Sequence, residues 1–156
     1  IGHSGFRFQV FDTTRQPFID TRQRELVDRL HRRILLEDGE QFILHPGEMV
    51  IAHTVERLTL SNDLIGRLEG RSSLARLGVV VHSTAARFDP GWDATPVLEL
   101  GNLGRIPVAV YPGMYICAFT FEELSTPALQ TYGQRKTSKY VGQTGATSSK
   151  ITEEPH

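Results

Sequence analysis

The sequence has 156 residues, of which 22% are charged, and its formal net charge is −1 at pH 7. This balance excludes a surface dominated by charge of one sign, so we predict neither a nucleic-acid partner nor a membrane partner. The length favours a single domain with a sizeable core. Fourteen of the 17 basic residues are Arg, the side chain best suited to bidentate recognition of phosphates and carboxylates.

The single cysteine, Cys117, excludes an intrachain disulfide and fits a reducing compartment. It lies in an apolar run, which favours an inert, buried thiol over a nucleophile. The sequence contains no apolar run of membrane-spanning length, and its first residues do not resemble a signal peptide. We therefore expect a soluble cytoplasmic protein.

The first elements in chain order are a strand and a helix. Residues 6–11 alternate apolar and polar side chains, which predicts a strand. Asp20 is a candidate helix N-cap. The helical stripe predicted after it consists of Leu26, Val27, Leu30 and Ile34.

After Gly39, short strand-like segments separated by turn signals continue to about Leu124. The predicted strands are 41–45, 49–54, 56–60, 64–69, 79–82, 96–100, 106–111 and 114–122. Many short strands at this spacing are typical of a β-sandwich or β-barrel.

Two segments are similar to each other: HPGEMVIAHTVERL (45–58) and YPGMYICAFTFEEL (111–124). Each begins with a Pro-Gly pair, which predicts a type II turn leading into a strand. Two interpretations remain open, an internal pseudo-repeat and two merely similar turns.

From Thr126 onward the chain is polar and rich in Gly and Ser, so it lacks the apolar residues of a core. One interpretation is a disordered tail. The other is a basic, glycine-rich tail that becomes ordered by closing over an anionic ligand.

Several common chemistries lack their motifs. The sequence contains no HExxH, no Walker A motif, no GxGxxG and no H-x-E followed by P-C-x-x-C. His45-Pro46-Gly47-Glu48 is better explained by a Pro-Gly turn than by metal binding. We therefore do not expect a zinc, P-loop or Rossmann mechanism.

The segment GRSSLARLGVVVHSTAARFDPGW (70–92) concentrates hydrogen-bonding groups beside apolar ones. On a short helix Ser72 and Arg76 would share a face, and Arg71 would supply positive charge beside them. Asp89 precedes a Pro-Gly corner, and Glu99 follows within the apolar stretch PVLEL. Taken singly, each has a structural explanation: an N-cap for the serines, a turn for Asp89, and an outward-facing position on a half-buried strand for Glu99.

Taken together, these motifs resemble the dCTP deaminase family of the trimeric dUTPase-like superfamily. GRSSLARLG, HSTAARFDPGW, VLEL and KYVGQTG occur in the family's order and spacing, and ILHPGE and YPGM also match. The resemblance extends from about Phe6 to Gly145. It implies a mainly β subunit, a distorted β-barrel or jelly-roll with one or two short helices, spanning residues 1–125. It also implies a nucleotide-closing tail at 126–156 and a homotrimer with active sites shared between subunits.

The implied reaction is hydrolytic deamination of dCTP to dUTP and ammonia, without zinc and with Mg²⁺ carried by the triphosphate. Glu99 matches the family's catalytic glutamate, which works as a general acid and base. Ser72, Arg76 and the carbonyl of Ala85 match groups that orient the water and the glutamate. Arg76 would also keep Glu99 ionised.

The resemblance further implies a set of substrate-binding positions. Asp89 matches the acceptor for the deoxyribose 3′-hydroxyl, and the backbone of Val97 and Leu98 matches the part that recognises the base. The family's positions at and around the triphosphate correspond to Arg71, Ser72, Ser73, Leu74, Ala75 and Arg76. The tail positions that fold over the nucleotide correspond to Tyr132, Lys139 and Gln143. The family also implies dTTP as an inhibitor.

Three departures from the family pattern stand out. We expect the family's N-terminal helix and first strand, which precede the Phe6 region, to be missing from this sequence. After Trp92 the family has a glycine and then a β-branched strand, where this sequence has DATPVLEL. Ala94 removes the flexible corner and Pro96 removes a backbone donor, so we expect altered geometry where the base binds. Ala75 and Arg87 resemble the branch that only deaminates, and Arg87 would be an additional active-site group.

Three alternative functions remain. A bifunctional relative would convert dCTP directly to dUMP and pyrophosphate. A plain dUTPase would carry Arg-Gly-Ser and Phe-Gly-Ser patterns in the tail, which this sequence lacks. A non-catalytic nucleotide-binding relative would keep the pocket without turnover.

Overall fold

Antiparallel strands dominate the computed structural model of this chain, which describes residues 1–2, 4–8, 18–23 and 31–154. The strands are β1 (Ser4–Phe8), β2 (His31–Leu35), β3 (Phe42–Leu44), β4 (Met49–His53), β5 (Leu58–Thr59), β6 (Leu64–Gly70), β7 (Val79–Val80), β8 (Arg87–Phe88), β9 (Asp93–Ala94), β10 (Val97–Asn102), β11 (Val108–Val110) and β12 (Cys117–Glu123). A short helix, α1 (Ser72–Ala75), and 3-10 turns at Tyr132–Gln134 and Ile151–Glu153 complete the described elements. The predicted mainly β class is confirmed.

The largest sheet has five strands in the order β2-β1-β4-β10-β7. A three-stranded sheet, β12-β6-β8, and two pairs, β11-β3 and β5-β9, form the rest. The inward faces of these sheets meet in one apolar cluster that includes Leu44, Leu68, Leu98, Leu100 and Val110, each at most 1% exposed. Sheets packed face to face around such a core explain why the predicted strands are short and alternating.

The helix predicted through Ile34 is wrong at that residue. Ile34 lies in β2, which pairs with β1 over five residues and places Ile34 opposite Gly5. The strand partner satisfies the backbone of this segment, so tertiary pairing overrides the helical spacing of its apolar residues. The rest of that predicted stripe, residues 26–30, lies outside the described residues, as do positions 9–11 of the first predicted strand.

Both predicted Pro-Gly turns are confirmed. The Glu48 N–H donates to the His45 carbonyl at 3.0 Å, and the Met114 N–H donates to the Tyr111 carbonyl at 3.2 Å. Their glycines have positive φ, as a type II turn requires. The strands that follow them, β4 and β12, belong to different sheets, and β12 begins three residues later than predicted.

Cys117 begins β12 and is half-buried. Burial raises the pKa of its thiol, so the unreactive protonated form is favoured. None of the helices within the described ranges combines the length and apolar character needed to cross a bilayer.

The Asn102 side chain, at the end of β10, joins β3 to the loop between β10 and β11. It is fully buried, and its amide nitrogen donates to the carbonyls of Leu44 and Ile106, each at 2.9 Å. Its Oδ1 accepts a 2.8 Å hydrogen bond from the Gly104 N–H. One buried amide therefore bonds three backbone groups.

We expect Asn102→Ala to lower the free energy of unfolding by about 3 kcal/mol or more, because each buried group left without a partner costs roughly 1–3 kcal/mol. Equilibrium urea denaturation at fixed protein concentration would measure the loss. Asn62→Ala is the matched control, since Asn62 is exposed and its change should stay within about 0.5 kcal/mol. Equal midpoints for the two variants would contradict this role of Asn102.

Candidate active site

Strand β10 has two faces with different tasks. Leu98 and Leu100 are 0% and 1% exposed and belong to the core, whereas Val97 and Glu99 are half-buried on the opposite face. This is the alternation that the sequence predicted. Because successive side chains of a strand point to opposite faces, burying the two leucines directs Glu99 away from the core.

Glu99 lines a pocket of about 600 Å³, which we call the main pocket. Several residues predicted for the site from separate segments line it together: Ala85, Arg87, Val97, Glu99, Tyr132 and Gln143. The other lining residues are mainly apolar and aromatic, with hydroxyls from the tail. A concave apolar site with a few convergent polar groups is typical of small-molecule binding.

One oxygen of the Glu99 carboxylate is held by the backbone. The Ser83 N–H donates a 3.0 Å hydrogen bond to Glu99 Oε2. Within the described ranges, Oε1 has no hydrogen-bond partner and is available to a ligand or a water molecule. Glu99 is also the only carboxylate among the described residues that line the main pocket.

The edge of β10 beside Glu99 is open on one side. Its partner β4 pairs with Val97 through Gly101, but on the other side β7 pairs only with Gly101 and Asn102. The backbone of residues 97–100 thus has no strand neighbour on that side within the described chain. Unpaired backbone groups at a pocket wall can hydrogen-bond a planar ligand such as a nucleobase.

A tight corner follows β8, built from Asp89, Pro90 and Gly91. The Trp92 N–H donates to the Asp89 carbonyl at 3.0 Å, and Gly91 has φ of +73°. Arg87 Nε lies 2.9 Å from Asp89 Oδ1, and Arg135 Nη1 lies 2.7 Å from Asp89 Oδ2. Asp89 is therefore bracketed by two arginines, one from β8 and one from the tail.

The tail, residues 126–154, packs against this corner. The Tyr132 N–H donates to the Pro90 carbonyl at 2.8 Å, and its ring lies 4.7 Å from the Trp92 ring between centroids. Trp92 in turn meets Phe88 edge-on at 5.0 Å. Burial raises the pKa of Tyr132, whose hydroxyl oxygen accepts a 3.3 Å hydrogen bond from the Tyr140 N–H.

Gln143 fastens the tail at a second point, just before β10. Its carbonyl accepts from the Thr95 N–H at 2.8 Å, and its Nε2 donates to the Thr95 carbonyl at 3.1 Å. Pro96 lacks a backbone donor, but β10 begins only at Val97, so no ladder bond is lost there. Ala94 is buried in β9 opposite Leu58.

The residues predicted around the triphosphate lie elsewhere in this chain. Helix α1 carries Ser72, Ser73 and Ala75 exposed, while Leu74 is 5% exposed and anchors the helix to the core. Arg71 and Arg76 flank it and are also exposed. Arg71 Nη1 donates to the Tyr115 carbonyl at 2.7 Å.

These α1 residues lie away from Glu99 within this chain. None of them lines the main pocket, and among the described residues no ion pair connects Arg76 with Glu99. The predicted pairing of Ser72 and Arg76 with Glu99 therefore does not occur within a single chain.

Lys139 borders a second pocket of about 590 Å³ together with Arg33 and Lys150. Lys139 forms an ion pair with Glu154, and its carbonyl accepts a 2.7 Å hydrogen bond from Lys150 Nζ. The pocket's rim also includes the glycine-rich backbone of residues 141–146. Cationic side chains beside such backbone suit an anion.

Sequence reasoning gave no role to several lining residues, including Met49, Ile51, Trp92 and Tyr140. Trp92 and Tyr140 stood within quoted motifs, so their aromatic character was an available signal. Met49 and Ile51 gave none, because apolar residues on a strand are equally typical of a core. Arg135 was also missed as a partner of Asp89, which only the folded tail brings near.

Groups of three or more His, Cys, Asp or Glu side chains placed to hold a metal ion are absent from the described part of the chain. With Glu99 as the one carboxylate of the described pocket lining, the residues present do not fit an all-protein magnesium cage. Mg²⁺ usually binds one or two carboxylates together with substrate phosphates.

Comparison with known proteins adds three findings. A family model described as "dCTP deaminase-like" matches residues 3–124. A dCTP deaminase from Thermomicrobium roseum is 51% identical over 152 residues, which cover 97% of this chain and 77% of that protein. The crystal structure of 2'-deoxycytidine 5'-triphosphate deaminase from Agrobacterium tumefaciens matches with a TM-score of 0.62 at 20% identity.

That structural match covers 80% of this chain but 38% of the Agrobacterium protein, so this chain spans well under half the length of that relative. At this identity the likeness concerns the fold. It agrees with the predicted dUTPase-like type of β-barrel.

We expect Gly91→Ala to loosen the tail, because the added Cβ would lie 2.4 Å from Thr131 Cβ. Overpacking of this kind costs about 1–3 kcal/mol, so trypsin should cleave the tail roughly tenfold faster. Gly39→Ala is the control: its φ is also positive, at +80°, but no atom lies within 4 Å of the new Cβ. Equal cleavage rates in the two variants would show that Thr131 does not press on Gly91.

Proposed function

This chain belongs to the dCTP deaminase-like family, and on that premise we propose that it is a hydrolase that deaminates dCTP to dUTP and ammonia. The observation that carries the proposal is the convergence on one pocket of Ala85, Arg87, Val97, Glu99, Tyr132 and Gln143. All of these positions except Arg87 match positions of the family, and the six come from four separate segments of the sequence. The β fold by itself does not require these residue types at one pocket, so their presence there supports a functional site.

Glu99 is the proposed general acid and base. Its Oε1 accepts a proton from a water molecule while the Ser83 N–H holds Oε2 in place. The water oxygen attacks C4 of cytosine, and Glu99 delivers the first proton to N3. Glu99 then takes the proton of the new C4 hydroxyl and passes it to the amine, so the C4–N bond breaks, ammonia leaves and the C4 carbonyl forms. One carboxylate thus serves each transfer in turn, so dCTP and water give dUTP and ammonia.

The remaining parts of the nucleotide are proposed to contact β10, the Asp89 corner and the tail. The open edge of β10 at Val97 and Leu98 recognises the base through its backbone, since the Leu98 side chain itself is buried. Asp89 accepts from the 3′-hydroxyl of the sugar. Tyr132, Lys139 and Gln143 hold the tail over the bound nucleotide.

The triphosphate is proposed to bind the neighbouring subunit's copy of helix α1, with Arg71, Ser72, Ser73 and Arg76. Their exposure, and their distance from the main pocket of their own chain, support a homotrimer in which each site combines two subunits. The same neighbouring helix would bring Arg76 and Ser72 to Glu99, the water and the carbonyl of Ala85. Leu74 and Ala75 give that helix its buried anchor and its small exposed face.

Mg²⁺ is proposed to arrive with the triphosphate, and zinc is not required. The phosphate oxygens supply the ligands that the pocket lacks. We also propose dTTP as an inhibitor at this site, and a cytoplasmic location that suits the protonated Cys117 thiol.

Products of dCTP turnover with Mg²⁺ and no added zinc would test the reaction. We expect dUTP and ammonia to accumulate. Direct appearance of dUMP and pyrophosphate would instead show the bifunctional reaction and make the deaminase-only assignment of Arg87 wrong. A dUTPase would leave dCTP intact and hydrolyse dUTP.

Glu99→Gln should lower kcat by about 10³-fold or more, because the variant cannot accept the proton from water. Nucleotide binding, measured by calorimetry, should remain close to that of the wild type. Glu123→Gln, at an exposed position on β12, is the control and should keep full activity. Substantial turnover by Glu99→Gln would remove Glu99 from the mechanism.

Co-expression of Ser72→Ala and Glu99→Gln chains would test whether sites are shared. Random mixing in a trimer gives a complete site at about one quarter of positions, so about a quarter of the activity should return. A mixture of Ser72→Ala with Arg76→Ala is the control and should stay inactive, because both residues belong to the same half-site. A silent first mixture would contradict a shared site.

A further inference from the structure

Arg135 contacts a residue of the proposed sugar site but has no role in the reaction proposed above. It follows the 3-10 turn Tyr132–Gln134, and its Nη1 lies 2.7 Å from Asp89 Oδ2. On the other side, Arg87 Nε lies 2.9 Å from Asp89 Oδ1. Each oxygen of this carboxylate therefore contacts a guanidinium from a different part of the chain.

The ion pair of Arg135 is the more enclosed of the two. The Asp89 side chain is 16% exposed, Arg135 is 36% exposed, and Arg87 is 60% exposed. An exposed ion pair contributes little, since water screens it and two flexible side chains must be ordered. The Arg135 pair lies closer to the interior, where a charged hydrogen bond holds its geometry more firmly.

The backbone near Arg135 is also fixed where it meets the corner. The Tyr132 N–H bonds to the Pro90 carbonyl, and Thr131 lies against Gly91 with no room for a side chain between them. The Thr131 side chain and Gln134 form a capping box around the 3-10 turn. Arg135 thus extends toward Asp89 from a backbone that is already docked.

We propose that Arg135 is a positioning residue, which holds the Asp89 carboxylate for the 3′-hydroxyl of the nucleotide and makes sugar recognition depend on a closed tail. The inference rests on the proposed function, in which Asp89 accepts that hydroxyl. Each carboxylate oxygen has two acceptor positions, so the two arginines leave room for the substrate's donor. Opening the tail would withdraw Arg135 and release the carboxylate on that side.

The test compares dCTP with 2′,3′-dideoxycytidine triphosphate, which lacks the hydroxyl. In Arg135→Met, we expect kcat/KM for dCTP to fall on the order of tenfold, mainly through KM, as for loss of a hydrogen bond to a charged group. The dideoxy nucleotide should lose less than about threefold, since it never made the contact. Preference for dCTP over its dideoxy analogue should therefore shrink.

Lys136→Met is the matched control. Lys136 is the next residue and is exposed. Its replacement by Met removes the same charge without changing a contact to Asp89. Its nucleotide preference should equal that of the wild type. Arg135→Lys, which keeps a positive donor, should restore part of the preference, and this restoration guards against a defect in folding.

Calorimetric binding of both nucleotides distinguishes failure of this inference from failure of the proposed function. If the wild type prefers dCTP and Arg135→Met keeps the same preference while both affinities fall equally, Arg135 only stabilises the tail and the inference is overturned. A wild type that binds both nucleotides equally would overturn it as well, whatever the turnover. A wild type that binds neither would overturn the proposed function itself.

Discussion

The alternation of side chains along β10 is the constraint on which the site depends. Leu98 and Leu100 are sealed in the core, so Glu99 between them has to face the main pocket. A shift of one residue in the pairing with β4 would bury the carboxylate and expose both leucines, at a prohibitive cost in free energy. The hydrophobic core thereby fixes the direction of the Glu99 carboxylate without any contact of its own to a ligand.

Much of this arrangement could be predicted from the sequence, because strand alternation and turn chemistry depend on residues that are neighbours in the chain. Strand alternation identified both faces of β10, and Pro-Gly pairs identified the turns at Pro46-Gly47 and Pro112-Gly113. Predicted strand ends differed by a residue or a few, as with β12, since the chemistry of a strand end is weakly specified. The corner at Asp89 was recognisable because only glycine adopts its backbone conformation easily.

What sequence reasoning missed depends on partners distant in the chain. Ile34 has a helical spacing to the residues before it, yet the β1 backbone makes it part of a strand. Asn102 has no motif around it, and its importance comes from backbone groups of β3 and of the loop after β10 that the fold brings to it. The separation of α1 from the pocket residues Ala85 and Arg87 is also a property of the folded chain, since all of them lie within residues 70–92 of the sequence.

The tail is attached to the barrel mainly by separate hydrogen bonds and an ion pair rather than by a strand ladder. Its main attachments are the Thr95 backbone, the corner at Pro90 and the Asp89 carboxylate. The barrel interior is instead joined by long ladders and a continuous apolar cluster. Regions with such different contact networks open with different free energies, so this chain contains two levels of stability. Amide hydrogens of the tail are therefore expected to exchange with solvent long before those of β10, and a ligand can enter and leave at the rate of tail opening while the barrel remains folded.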